Sequence, residues 1–91
     1  MFLDEVRKAV KDREFMVLIG EDGKKVDELI ETATYLIGKM SEARYRAILT
    51  MYYLKHMSWQ EISAVLGGYS LRQLYRIRDK AIIEFNKENG L

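Results

Sequence analysis

Between Ser70 and Lys80 the chain reads Ser-Leu-Arg-Gln-Leu-Tyr-Arg-Ile-Arg-Asp-Lys, and its polar groups suit recognition of a polyanion. Leu74, Ile77, Ala81 and Phe85 recur at intervals of three and four and mark the buried stripe of a helix. Arg72, Gln73, Arg76, Asp79 and Lys80 then face outward. Arginine matches the acceptor edge of guanine and glutamine matches the edge of adenine, each through two parallel hydrogen bonds. Arg72, Gln73 and Arg76 lie near the helix start, where side chains reach base edges, and form the expected base-reading set. Ser70, Tyr75, Arg78 and Lys80, with Ser58 upstream, suit phosphate oxygens.

Other chemistries find few groups. The chain has no cysteine, hence no disulfide, no thiol nucleophile and no thiolate ligand. His56 is the single histidine, so a transition-metal centre is not expected; its place is a turn between helices, solvated or against a phosphate. The acid pairs Asp4/Glu5, Glu21/Asp22 and Asp27/Glu28 are adjacent in sequence and do not share a helical face. Gly20-x-x-Gly23-Lys24 lacks the spacing and the following Ser/Thr of a phosphate-cradling loop. No catalytic constellation emerges, and the reading is a protein that is not an enzyme, with no cofactor and no metal.

The elements that must position these groups are helical. Ninety-one residues make one domain. Hydrophobic residues at 48%, charged residues at 32% and the absence of proline describe an ordered, mostly α chain. Net charge is only +1, but it is unevenly placed: residues 1–40 carry seven Lys/Arg against nine Asp/Glu, and residues 41–91 carry eight against five. A local basic excess suits a polyanion even when the total is near neutral. No apolar run approaches the roughly 20 residues of a membrane span, and Asp4, Glu5, Arg7 and Lys8 interrupt any leader-like start. The cytoplasm is the expected compartment.

Leu3, Val6, Val10 and Val17 predict a helix over residues 2–17, with Phe15–Ile19 either ending it or forming an extended piece. Gly20-Glu-Asp-Gly23 is a break. A second helix is expected over Lys24–Met40, with an apolar stripe of Val26, Leu29, Ile30, Ala33, Leu36, Ile37 and Met40. Ser41 is the expected cap of a third helix reaching Lys55, with Tyr45, Ile48, Leu49 and Tyr52 on its inner face and Tyr53 left to a partner. Ser58-Trp-Gln-Glu61 and Ser70-Leu-Arg-Gln73 are both capping boxes. Between them Ile62, Val65 and Leu66 are expected inward, and Trp59 is expected against helix three. The result is an all-α fold of about five helices. Residues 41–91 form a helix-turn-helix unit. Residues 1–40 form a helical hairpin available for homodimerisation or partner contact.

Arg46 to Gly67, with Tyr52-Tyr53-Leu54 followed by Ser58-Trp-Gln-Glu-Ile, resembles the fourth region of bacterial sigma factors. Gly68-Tyr-Ser-Leu-Arg-Gln-Leu-Tyr-Arg-Ile-Arg-Asp-Lys-Ala81 is similar to small phage regulators of late transcription, the ArpU and RinA groups. The resemblance covers about residues 41–86. It implies sequence-specific binding of double-stranded DNA through a recognition helix, with RNA polymerase as a further partner. Two positions depart from the family pattern. Ser63 replaces the usual alanine, with a hydroxyl expected to bond back to the previous turn. Gly67-Gly68 doubles a usually single glycine. Two rival readings are a polymerase-binding or anti-activator module that does not use DNA, and a small terminase-like packaging protein.

Overall fold

A computed structural model describes residues 1–91 as five α-helices without strands: α1 (Phe2–Ile19), α2 (Lys24–Gly38), α3 (Ala43–Leu49), α4 (Trp59–Leu66) and α5 (Leu71–Glu88). α3 continues into a π-helical turn over Thr50–Leu54. No helix is long and apolar enough to cross a membrane.

Helix α1 runs through Phe15–Ile19, resolving that segment as helix. It ends in a Schellman motif: Gly20 adopts φ 72°, its amide bonds the Val17 carbonyl, and the Glu21 amide bonds the Met16 carbonyl. Val17 does not join the buried stripe; it is 68% exposed, and Leu3, Val6 and Ala9 are the buried residues of this helix. α2 buries Ala33 and Ile37, and Met40 anchors the chain just beyond it. Ser41 is not the cap of α3. The Glu42 carboxylate accepts the Arg44 amide instead, while the Ser41 and Met40 carbonyls accept the Arg46 guanidinium. Arg46 thus closes the carbonyl end left by α2.

Two buried clusters share α3. Leu49 joins Leu3, Ile37, Met40, Tyr53, Ala81 and Phe85, drawn from α1, α2, the π turn and α5. Its neighbour Ile48 joins Met51, Ile62 and Leu74 beneath α4 and α5. The π turn decides which tyrosine is buried. A wider turn rotates less per residue, which brings Tyr53 back under Leu49 and turns Tyr52 toward α1 and α4. Tyr53 is 2% exposed and therefore not available to a partner. Its burial, with smaller contributions from Asp4 and Tyr52, pushes its hydroxyl up to about 12.

Helix α4 has only two turns, and its inner line is Trp59, Ile62 and Leu66 at spacings of three and four. Val65 falls off that line and is 65% exposed, which corrects its inward placement.

Candidate nucleic-acid interface

Both helices of the helix-turn-helix begin where the serines place them. Ser58 Oγ accepts the Glu61 amide at 3.1 Å, and Glu61 Oε1 accepts the Ser58 amide at 3.0 Å. Donation to the carboxylate, from the Ser58 amide first and from its hydroxyl second, holds the Glu61 carboxyl below its ordinary value. Ser70 and Gln73 repeat the arrangement at 3.2 Å and 2.8 Å. Each serine oxygen accepts from a helix amide; the Ser58 hydroxyl also turns to the Glu61 carboxylate, whereas the Ser70 hydroxyl hydrogen has no partner within the helix.

The turn between them spends both glycines on positive φ. Gly67 lies at φ 61°, ψ 154° and Gly68 at φ 70°, so the doubled glycine is absorbed in the turn and α4 ends at Leu66. Ser63 does not bond back to the previous turn. Its hydroxyl reaches forward to the Tyr69 carbonyl at 3.2 Å, while its own carbonyl accepts the Gly67 amide at 3.0 Å. One residue thus binds both ends of the turn that aims α5.

The polar face of α5 divides by prior commitment. Arg72 and Arg76 are exposed and take part in no ion pair, and the same holds for Lys80. Gln73 is exposed, but its carbonyl oxygen is engaged at Ser70, which leaves the amide hydrogens as its outward function. Tyr75 and Arg78 are drawn sideways. Tyr75 meets Trp59 edge-on at 5.4 Å. The Arg78 guanidinium sits 5.5 Å from the Trp59 ring centre and 5.1 Å from that of Tyr75, and it pairs with Asp79 at 2.8 Å. Trp59 itself stacks on Tyr52, in agreement with its expected place against helix three.

Away from α5, Arg44 pairs with exposed Glu42, which with Tyr69 raises its already high pKa. Sequence periodicity gave no sign of Arg7. From α1 its Nε donates to the Tyr52 carbonyl at 3.1 Å and its guanidinium lies 4.2 Å from the Tyr52 ring centre. That carbonyl sits in the last turn of the α3–π segment, where helix carbonyls lack intrahelical donors. No set of three or more His or carboxylate side chains is placed to hold a metal ion. No protein-family model matches the chain, and no curated protein or solved structure matches it.

Proposed function

We propose that this protein is a sequence-specific DNA-binding transcriptional regulator of the phage or prophage type, with α5 as the recognition helix in the major groove. The observation that carries the reading is the pair Arg72 and Arg76. They stand exposed and unpaired on the first two turns of a serine-capped helix, which is held at a set angle behind a braced turn. Guanidinium groups so placed can each bind a guanine edge bidentately. Ser70 and Lys80 supply donors for flanking phosphates, with Ser58 beside them at the start of α4. Tyr75 and Arg78, packed on Trp59, support the helix and present only their outer edges. The resemblance to the fourth sigma region supports the same docking and adds RNA polymerase as a partner.

Selection of bound fragments from a random duplex pool, with mass measured by light scattering, tests the reading. The expected result is one enriched motif, bound by a monomer or dimer; a two-fold symmetric motif identifies the dimer. No enrichment at low salt overturns it.

One observation favours a second reading, a protein-interaction module. At the tip of α1, Phe15, Leu18 and Ile19 are 62%, 84% and 53% exposed and share one face at spacings of three and four, an apolar surface of the kind that marks contact sites. Under this reading Arg72→Ala/Arg76→Ala leaves partner binding intact and no duplex is bound.

A further inference from the structure

The N-terminal helix carries a second basic surface that the helix-turn-helix does not account for. A cavity of about 320 Å³ opens between α1 and the end of the π turn, lined by Asp4, Arg7, Lys8, Lys11, Tyr52 and His56. Three cations from one helix face meet the histidine of the loop that leads into α4, and one carboxylate, Asp4, stands at the same wall. Arg7, Lys8 and Lys11 take part in no ion pair. Elsewhere α1 does use its charge internally, since Arg13 pairs with Asp27 of α2. Lys8 and Lys11 are exposed, three residues apart, and so lie on one side of the helix.

The cavity adjoins the DNA-reading unit through a run of direct contacts. Arg7 covers Tyr52, Tyr52 stacks on Trp59, and Trp59 is the first residue of α4, next to the Ser58 cap. His56 adopts φ 54°, a left-handed conformation uncommon outside glycine, and it stands two residues before Ser58. The basic patch therefore lies beside the loop that leads into α4.

We infer that α1 contributes a phosphate-binding arm: Lys8 and Lys11, with Arg7 held in place on Tyr52, engage phosphodiester oxygens of duplex DNA beyond those reached by α4 and α5. The inference rests on the DNA-binding reading. It assigns the N-terminal helix a share of the nucleic-acid footprint, and it makes this contact independent of base sequence, because phosphate contacts carry no sequence information. Asp4 is the one carboxylate that lines the patch.

The salt dependence of binding separates this contact from base reading. Each phosphate neutralised contributes roughly 0.9 to the slope of log K against log salt. Fluorescence anisotropy with the 91-residue chain, on a selected duplex and on a duplex of arbitrary sequence, compares the parent with Lys8→Gln/Lys11→Gln and with a control, Lys24→Gln/Lys25→Gln, at the hairpin tip. The expected result is a slope shallower by about 1 to 2 on both duplexes for the first variant only, with far-UV circular dichroism unchanged. An unchanged slope, or an equal loss in the control, overturns the inference, while a retained preference for the selected duplex keeps the DNA-binding reading. Failure of the parent to bind either duplex overturns both.

Discussion

Trp59 lies flat on Tyr52, ring centres 4.5 Å apart and planes 19° from parallel. This contact joins the first residue of α4 to the π turn that closes α3. Tyr52 is in turn covered by Arg7 of α1, and Trp59 is met by Tyr75 and Arg78 of α5. Four elements of separate sequence origin therefore converge on two rings. Trp59→Ala removes the shared surface and is expected to cost about 3 kcal/mol, of which about 1 kcal/mol is ring pairing beyond area burial. Trp59→Phe keeps a stacked ring and should lose less than half as much. Urea unfolding followed by circular dichroism measures both; equal midpoints for the two variants would deny the stack a stabilising role.

The exposed face of α5 holds groups of different duty, and substitution should separate them. Arg72→Ala and Arg76→Ala remove side chains with no internal partner, so each is expected to leave the melting temperature within a degree or two while weakening binding at the preferred duplex by about 1–3 kcal/mol. Gln73→Ala breaks the reciprocal bond with Ser70 and is expected to cost about 1 kcal/mol of stability. Gln73→Glu retains that bond. Thermal unfolding beside anisotropy titration checks the division. A Gln73→Ala variant of parental stability would show that the capping bond contributes nothing.

The helix starts at Ser58 and Ser70 were legible because a capping box is a local device, complete within four residues. The α5 stripe was legible for the same kind of reason, since Leu74, Ala81 and Phe85 all bury as their spacing demands. What sequence could not show depends on distant partners. The π turn changes the facing of Tyr52 and Tyr53 without any glycine or proline to mark it. Val65 looks inward by composition but sits off the line that two turns of helix can bury. Gln73 satisfies two patterns at once, a cap and an adenine reader, and only the folded geometry shows its oxygen engaged. Arg7 is an ordinary surface residue until tertiary packing sets it over Tyr52.

Glu61 gives the helix-turn-helix a dependence on acid. Its carboxyl is held below the ordinary range by the Ser58 amide and hydroxyl. A carboxyl whose folded-state pKa is depressed contributes stability above its unfolded-state value, about 4.3, and loses it as pH falls through the lower folded-state value. Glu88 acts in the opposite sense, because desolvation and the neighbouring Glu84 raise its pKa, so it favours folding when protonated. The difference between parent and Glu61→Gln isolates the capping carboxylate. Melting temperatures are expected to converge as pH falls from about 5 toward 3, with the parent higher at the upper end. A constant difference across that window would place the effect elsewhere.

The turn offers the sharpest link between stability and aim. Gly67 sits at φ 61°, ψ 154°, a region essentially closed to residues with a Cβ. A Cβ built there meets no atom within 4 Å, so the expected loss of about 1–3 kcal/mol in Gly67→Ala comes from the backbone alone. Ser63→Ala removes the hydroxyl that holds the Tyr69 carbonyl and should cost about 1 kcal/mol. The two changes act on one small loop. If the loop relaxes out of its present shape in Gly67→Ala, the Ser63 bond is already lost there, and the double variant should be less damaged than the sum of the singles by at least about 0.5 kcal/mol. The same relaxation rotates α5 relative to α4, so both singles should also shift the preferred duplex while Arg72 and Arg76 remain intact. Additive stabilities with an unchanged preference would mean that the α3 core, through Ile48 and Leu74, sets the angle of α5 without help from the turn.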